Sequence, residues 1–315
     1  MIKVAVTELE YGKAPHIFEN AAGFKCFCAP APEAELAAFV KTNHISYVIV
    51  GIDKYLGPLY DALPRNGVIA RFGVGHDGID KTRAAAGGIY CTNTPGALDN
   101  SVAECAMGLL LTAARHLAAC AADNKNSRWK NRVGTELAGK TLAVIGCGNI
   151  GRKVARIAKS GFGMNVIGSD IITPANNGFF DAFTCDFTEA VKNADFVSLH
   201  IPETTTTRDF INSKRLAAMK NTTCLINTAR GGILDENALY DAVTNGAIGG
   251  AALDVFKTEP YFPQSPDKDL RSLEKVIMTP HLGSSTLEAC ERMARAALNN
   301  IKLCAEGKIG NMNIV

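Results

Sequence analysis

The stretch "KTLAVIGCGNIGRKVARIAKSGFGMNVIGSD", residues 140–170, leaves this chain few ways to fold. It opens as a continuous apolar strand and turns on Gly146, Gly148 and Gly151. It continues as a helix, with Gly161 as the expected C-terminal stop, and a second strand ends on Asp170. Strand, G-x-G-x-x-G turn, helix, and a strand ending in an acid make up the βαβ pattern of a dinucleotide-binding unit. Each glycine has a reason: the turn, the close approach of a pyrophosphate, and the packing of helix on strand. The helix N-terminus, at Asn149 and Ile150, faces the phosphates. Asp170 is placed to accept hydrogen bonds from a ribose diol and to repel a 2′-phosphate. The following "IITP" brings no Arg to hold one, so NAD is the expected cofactor over NADP.

A second stretch, "GVGHDG" from Gly73 to Gly78, fits the same expression but fails its context. Asp80 reads as the N-cap of "KTRAAA", so the helix begins after the third glycine. The next strand ends in Asn93, and Asp77 puts a negative charge inside the turn. Two readings stand side by side: a tight strand-to-helix turn, or a turn whose Gly73–Gly75 amides bind a small anion such as a substrate carboxylate.

The pattern of short apolar strands between helices runs from end to end. One series comprises residues 3–8, 24–28, 47–50, 68–72 and 89–93; a second comprises 141–146, 165–170, 196–201, 223–228, 249–256 and 275–280. Such strands imply parallel sheets covered on both faces, and two series imply two doubly wound α/β domains. The 315 residues suffice for both cores. A long helix lies between the series, with Ser101 and Glu104 as an expected capping box and an apolar pattern running to about Ala122. It is apolar nearly all round, which predicts burial between domains or subunits. Trp129, in the polar segment that follows, is expected to pack. A last helix spans roughly Thr286 to Cys304.

Composition excludes several classes. The apolar fraction of 47% describes a globular chain, and a net charge of +2 creates no field that would draw nucleic acid or a membrane surface. "AMGLLLTAA" is too short to cross a bilayer, which takes about 20 apolar residues. "MIKVAVTE" enters a strand pattern directly with no signal-peptide-like apolar segment, so a cytoplasmic location is expected. The ten cysteines include no C-x-x-C, and no His pair stands near a Cys pair at zinc spacing. Reduced thiols and no metal are the expectation.

Three motifs place charged side chains just after strands of the second series: Arg230 in "INTARGG", Glu259 in "FKTEP", His281 in "TPHLG". Ligands bind outside the carboxyl ends of such strands. Hydride transfer to a 2-keto acid needs a proton donor at the carbonyl oxygen, and imidazole suits that near neutral pH. A neighbouring carboxylate supports the charged imidazole and fixes its tautomer. A guanidinium grips a carboxylate bidentately and polarises the carbonyl beside it. Singly, each has an ordinary reading: Arg230 an exposed turn, Glu259 a loop cap, His281 a core residue. Together, beside a dinucleotide fold, they point to catalysis.

With these motifs the chain resembles the D-2-hydroxyacid dehydrogenase family, in its phosphoglycerate dehydrogenase-like group. The likeness runs over "RFGVGHDGID", "NSVAE", "GKTLAVIGCGNIG", "SLHIPETTTTRDFIN", "LINTARGGILDENAL", "GAALDVFKTEP" and "TPHLGSST". It implies Arg230, Glu259 and His281 as the catalytic set. For the cofactor it implies the glycine loop with Asn149 and Ile150, and also Asp170, Ile201, Pro202, Thr228, Ala229, Gly283 and Asp254, the last holding the nicotinamide carboxamide. For substrate it implies Arg71 and the amides of Gly73, Val74 and Gly75, with Arg230, which decides between the two readings of "GVGHDG". The implied assembly is a flavodoxin-like substrate domain from residues 1–98 and 284–315, and a Rossmann-type NAD domain from 99–283. A cleft closes between them, and a homodimer forms through the NAD domain and its long helix.

The substrate implied first is D-3-phosphoglycerate, as in serine biosynthesis; the alternative is a hydroxypyruvate or glyoxylate reductase acting on small unphosphorylated acids. Phosphoglycerate-specific members tend to carry Arg after the strand at 47–50, where this chain has Gly51 with Lys54 nearby. Leu98 stands where several members have Asn. Arg71, Lys54, Arg128 and Arg132 remain as sources of positive charge, the last two more simply as solvated surface. The C-terminal binding protein corepressors share the fold and the Arg–Glu–His set, so a non-catalytic NAD sensor is the alternative from another class. A formate dehydrogenase is disfavoured, since that branch has Gln in place of Glu259.

Overall fold

The computed structural model describes residues 1–172 and 178–315, so Thr173 and Pro174 of "IITP" lie outside the described residues. The chain divides into two compact units, one of residues 1–98 and 284–315 and one of residues 99–283.

The first unit is built on five parallel strands: β1 (Ile2–Thr7), β2 (Phe24–Ala29), β3 (Tyr47–Val50), β4 (Val68–Arg71) and β5 (Tyr90–Thr92). Their order is β2-β1-β3-β4-β5, the flavodoxin-like arrangement. Val48, Val50 and Ile69 pack with Leu36, Val40 and Leu59 from covering helices. Asp80 caps the Lys81–Gly87 helix by accepting the Arg83 amide at 3.0 Å. Thr286 likewise caps Leu287–Ala305, the last helix.

The second unit holds seven parallel strands: β6 (Thr141–Ile145), β7 (Asn165–Ser169), β8 (Ala182–Thr184), β9 (Phe196–Leu199), β10 (Cys224–Asn227), β11 (Gly250–Leu253) and β12 (Val276–Met278). The order β12-β11-β10-β9-β6-β7-β8 reverses direction between β6 and β9, the switch point at which dinucleotides bind in such sheets. Apolar layers cover both faces, one around Leu199, Leu225 and Leu253 and the other around Leu142, Val144 and Val154. β8, three residues at the sheet edge, has no counterpart among the expected strands; a strand that short carries no periodicity.

Four local expectations are corrected. The long helix starts at Asp99, not after Ser101, and Ser101 lies inside it, donating its hydroxyl to the Gly283 carbonyl at 2.7 Å. Ser101 therefore caps nothing, and Glu104 is exposed. The helix also stops at Ala114, and a second one, Leu117–Lys125, leaves at a bend of 66°. The Thr135 amide takes the Ala114 carbonyl at 2.8 Å, and His116 adopts a left-handed conformation, φ 51°. The first piece is buried against the Asn149–Phe162 helix and strands β10 and β11 of its own unit. Trp129 is left exposed rather than packed among the described residues: Arg128 and Arg132 turn to Asp123, and the indole between them is 92% exposed. Gly161 is helical, and Gly163, at φ 62°, ends the Asn149–Phe162 helix. Among the described residues no single helix is long and apolar enough to cross a membrane.

Candidate active site

The β6 turn has the close contacts that its glycines permit. Gly146 takes φ 94°, and a Cβ there would stand 2.6 Å from the His200 carbonyl carbon. A Cβ on Gly151 would stand 2.0 Å from the Gly146 oxygen, so the helix lies directly on the turn. Gly148 precedes the helix with no side-chain cap, and nothing lies within 4 Å of where its Cβ would be. Asn149 and Ile150 form the first helical turn, and the Asn149 side chain accepts a bond from Arg152. Asp170, just past β7, accepts the Cys147 amide and its neighbour Ile171's amide, each at 2.7 Å. The acid is thus anchored to the glycine turn itself.

Ile201 and Pro202 follow β9, and the Ile201 nitrogen would lie 2.8 Å from a Cβ on Gly146. Thr228 and Ala229 follow β10. The Thr228 hydroxyl is buried without a hydrogen-bond partner, a costly arrangement unless a ligand supplies one. A cradle open at Gly148, an anchored carboxylate and an orphaned hydroxyl fit a dinucleotide.

The three charged residues come together at the ends of β10, β11 and β12, which are neighbours. Asn227, fully buried at the end of β10, shapes the first turn: its amide donates to the Arg230 carbonyl at 2.9 Å and its oxygen accepts the Ala229 amide at 3.0 Å. Arg230 also donates to the Ala229 carbonyl at 2.6 Å. The next residue has to be glycine, because a Cβ on Gly231 would fall 1.9 Å from the Phe256 carbonyl carbon. That contact seats the Arg230 turn on the loop that carries Glu259.

Glu259 accepts the Phe256 amide through Oε1 at 2.9 Å and meets His281 Nδ1 through Oε2 at 2.6 Å. Burial pushes its carboxyl up, but the hydrogen bond and charge of His281, the Phe256 amide and the Arg230 charge outweigh burial and hold it below the usual range. His281 sits at φ 51°, with its amide bonded to the Asp254 carbonyl at 2.8 Å. With Nδ1 turned to Glu259, Nε2 has no partner among the described residues. Asp254, 1% exposed, accepts the Thr279 hydroxyl at 2.6 Å and the amides of Leu282 and Gly283 at 2.9 and 2.7 Å. It ties the His281–Gly283 turn to the end of β11, and Ser101 holds Gly283 from the other side. Asn227 and Thr279 are not singled out in the sequence, and Ser101 is read there only as a helix cap; a polar residue closing an apolar strand, as in "LIN", is the signal Asn227 offers.

In the first unit Arg71 closes β4, buried, with its guanidinium against Gly73 and donating to the Phe72 carbonyl. Gly73 has φ 148° and gives its amide to the Arg71 carbonyl at 2.9 Å. That corrects the expectation of three open amides: the Gly73 N–H closes its own turn. The Val74 and Gly75 amides have no such bond among the described residues, and Asn93 steadies the loop by donating to the Val74 carbonyl at 2.8 Å. Arg128 and Arg132 are not plain solvated surface, since both clasp the largely buried Asp123, and Arg132 also pairs with Glu274.

The family model for the NAD-binding domain of D-isomer specific 2-hydroxyacid dehydrogenases matches residues 107–283. Over 228 residues the chain is 45% identical to a hydroxypyruvate reductase of Thermotoga maritima, covering 72% of this chain and 73% of that protein. Over 319 residues it is 39% identical to a D-3-phosphoglycerate dehydrogenase of Methanocaldococcus jannaschii, covering 100% of this chain but 59% of that one. Among solved structures, an NADPH-dependent glyoxylate/hydroxypyruvate reductase of Sinorhizobium meliloti in complex with NADP and malonate superposes with a TM-score of 0.84 at 30% identity, covering 100% of this chain and 96% of the other.

Proposed function

This chain belongs to the D-2-hydroxyacid dehydrogenase family, a nicotinamide-dependent oxidoreductase acting on CH–OH donors, and we propose that it interconverts a small 2-keto acid and the D-2-hydroxy acid with NAD as its cofactor. The observation that carries the proposal is the 2.6 Å Glu259–His281 pair beside the Arg230 turn, at the strand ends of the sheet that holds the β6 glycine cradle.

When bound, the nicotinamide supplies the hydride to the keto carbon, or takes it back in the reverse direction. His281 gives the balancing proton from Nε2 to the carbonyl oxygen and recovers it in oxidation. Glu259 holds Nδ1, which fixes the ring's orientation and leaves Nε2 as the nitrogen that exchanges. Arg230 pairs with the substrate carboxylate and polarises the adjacent carbonyl. In the first unit, the Val74 and Gly75 amides are donors suited to a substrate carboxylate. Gly146, Gly148, Asn149, Ile150 and Gly151 cradle the pyrophosphate, Thr228 donates its orphaned hydroxyl, and Ile201, Pro202, Ala229, Gly283 and Asp254 line the nicotinamide side. Asp170 accepts the ribose hydroxyls, and its negative charge opposes a 2′-phosphate.

The relatives named for hydroxypyruvate and glyoxylate support a small unphosphorylated substrate. D-3-phosphoglycerate is the second reading, favoured by a dehydrogenase for it that aligns along the whole chain. Oxidation of NADH by glyoxylate, hydroxypyruvate and phosphohydroxypyruvate separates the two; equal or better turnover of the phosphorylated acid would reverse their order. Association as a homodimer through the 99–283 unit belongs to the same proposal. Trp129 and Val133, 92% and 94% exposed, are apolar side chains for it to cover, and sedimentation measures it.

A further inference from the structure

The edge of the first unit's sheet that carries the Gly73–Gly75 loop also carries a buried acid. β1, β3 and β4 are neighbours, with Val50 in register with Arg71. The chain leaves β1 at Thr7 and starts the Glu8–Lys13 helix, which brings Glu10 back over the end of β3. Glu10 is 3% exposed, and its carboxylate fills the space a side chain at position 51 would need: a Cβ on Gly51 would lie 2.5 Å from Oε1. Thr7 donates its hydroxyl to Oε2, and Lys13 Nζ stands 3.4 Å from Oε1. Two residues beyond Gly51, burial and then the Glu10 charge push the Asp53 carboxyl up, while Arg71 and Lys13 oppose them.

Glu10, Asp53, Lys13 and Arg71 therefore act on one another at this strand edge, and their formal charges cancel. Lys13 lies against Glu10, and Arg71 is folded onto Gly73 and the Phe72 carbonyl. A substrate carboxylate on the Val74 and Gly75 amides is compatible with this balance. A second anionic group on the same substrate, such as a phosphate ester, would be opposed by the charges of Glu10 and Asp53 with both cations already engaged. A hydrogen or a hydroxymethyl group meets no such penalty.

We infer that Glu10 is a specificity-determining residue, which restricts the substrate to 2-keto acids with a single anionic group. The inference rests on the D-2-hydroxyacid dehydrogenase reading and narrows it to unphosphorylated acids. Its test compares kcat/KM for hydroxypyruvate and for phosphohydroxypyruvate at saturating NADH, in the full chain and in Glu10→Gln, which keeps size and an acceptor for the Thr7 hydroxyl but removes the charge. Glu8→Gln, an exposed acid on the same helix, is the control. The full chain should favour the unphosphorylated acid by about 100-fold or more, and Glu10→Gln should narrow that ratio by about 10-fold, chiefly through KM for the phosphorylated acid. Glu8→Gln should leave it unchanged. If Glu10→Gln does not fold, Lys13→Met serves instead: it exposes the Glu10 charge and should widen the ratio. Hydroxypyruvate turnover with a ratio indifferent to Glu10 or Lys13, or a preference for the phosphorylated acid, would overturn the inference alone. A chain inert toward both acids would overturn the dehydrogenase reading with it.

Discussion

Glu259 Oε2 lies 2.6 Å from Nδ1 of His281, a residue 22 positions further along the chain. The contact exists because β11 and β12 are adjacent and parallel, so that both residues leave the sheet at the same edge. Asp254 secures the second turn and the Phe256 amide the first. Neither side chain is free to wander. His281→Asn should accordingly cost about 10²- to 10⁴-fold in kcat, and Glu259→Gln a smaller factor. NADH binding, followed by fluorescence, should survive both substitutions; full activity in His281→Asn would remove the residue from proton transfer.

Asp170 is fixed to the glycine turn through the Cys147 amide, so its charge is held beside the turn proposed to cradle the cofactor. Asp170→Asn keeps an acceptor and removes the charge. The ratio of kcat/KM for NADH over NADPH should fall by about 10-fold or more, since a close carboxylate–phosphate repulsion is lost. An unchanged ratio would show that Asp170 does not set cofactor choice.

The Thr228 hydroxyl separates binding from stability. Buried without a partner, it costs the folded chain desolvation energy. Thr228→Val should leave Tm equal or higher while weakening NADH binding, as read by calorimetry. A large loss of Tm with unaltered affinity would contradict the role given to it.

His200 provides a pH signature. Burial pushes its imidazole down to about 4 from an ordinary 6.5, and Nε2 is bonded to Ser198 at 2.8 Å. Between those values the unfolded chain binds a proton that the folded chain does not, so stability falls as pH drops from about 6.5 toward 4. The loss from this group is roughly 3 kcal/mol, complete once both states are protonated. Thermal melts across that range should show it, and His200→Gln should flatten the slope; an identical slope would assign the acid sensitivity to other groups.

Residues that announce themselves in the sequence do so because one local rule governs them. The Gly146–Gly151 turn, Asp80 as an N-cap and the strand ends that place Arg230, Glu259 and His281 follow from spacing within a few residues. Ser101 shows the limit. Its capping-box spacing is satisfied in sequence, but the Gly283 carbonyl, 182 positions away, claims the hydroxyl. The helix break at His116 depends on Thr135, and the exposure of Trp129 on two arginines that prefer Asp123. Glu10 reads as an ordinary helix acid until β3 brings Gly51 beneath it. In each of these a distant partner outweighs the local pattern, and only the fold reveals it.

Hydride delivery from NADH with proton donation by His281 makes the expected reaction a stereospecific reduction of a 2-keto acid. The most direct measurement incubates the chain with NADH and hydroxypyruvate, follows NADH oxidation, and resolves the enantiomers of the glycerate formed. Oxidation of NADH with D-glycerate as product in equal amount is the expected result, with loss of both in His281→Asn. L-glycerate, or no NADH oxidation with hydroxypyruvate, glyoxylate or phosphohydroxypyruvate, would contradict it.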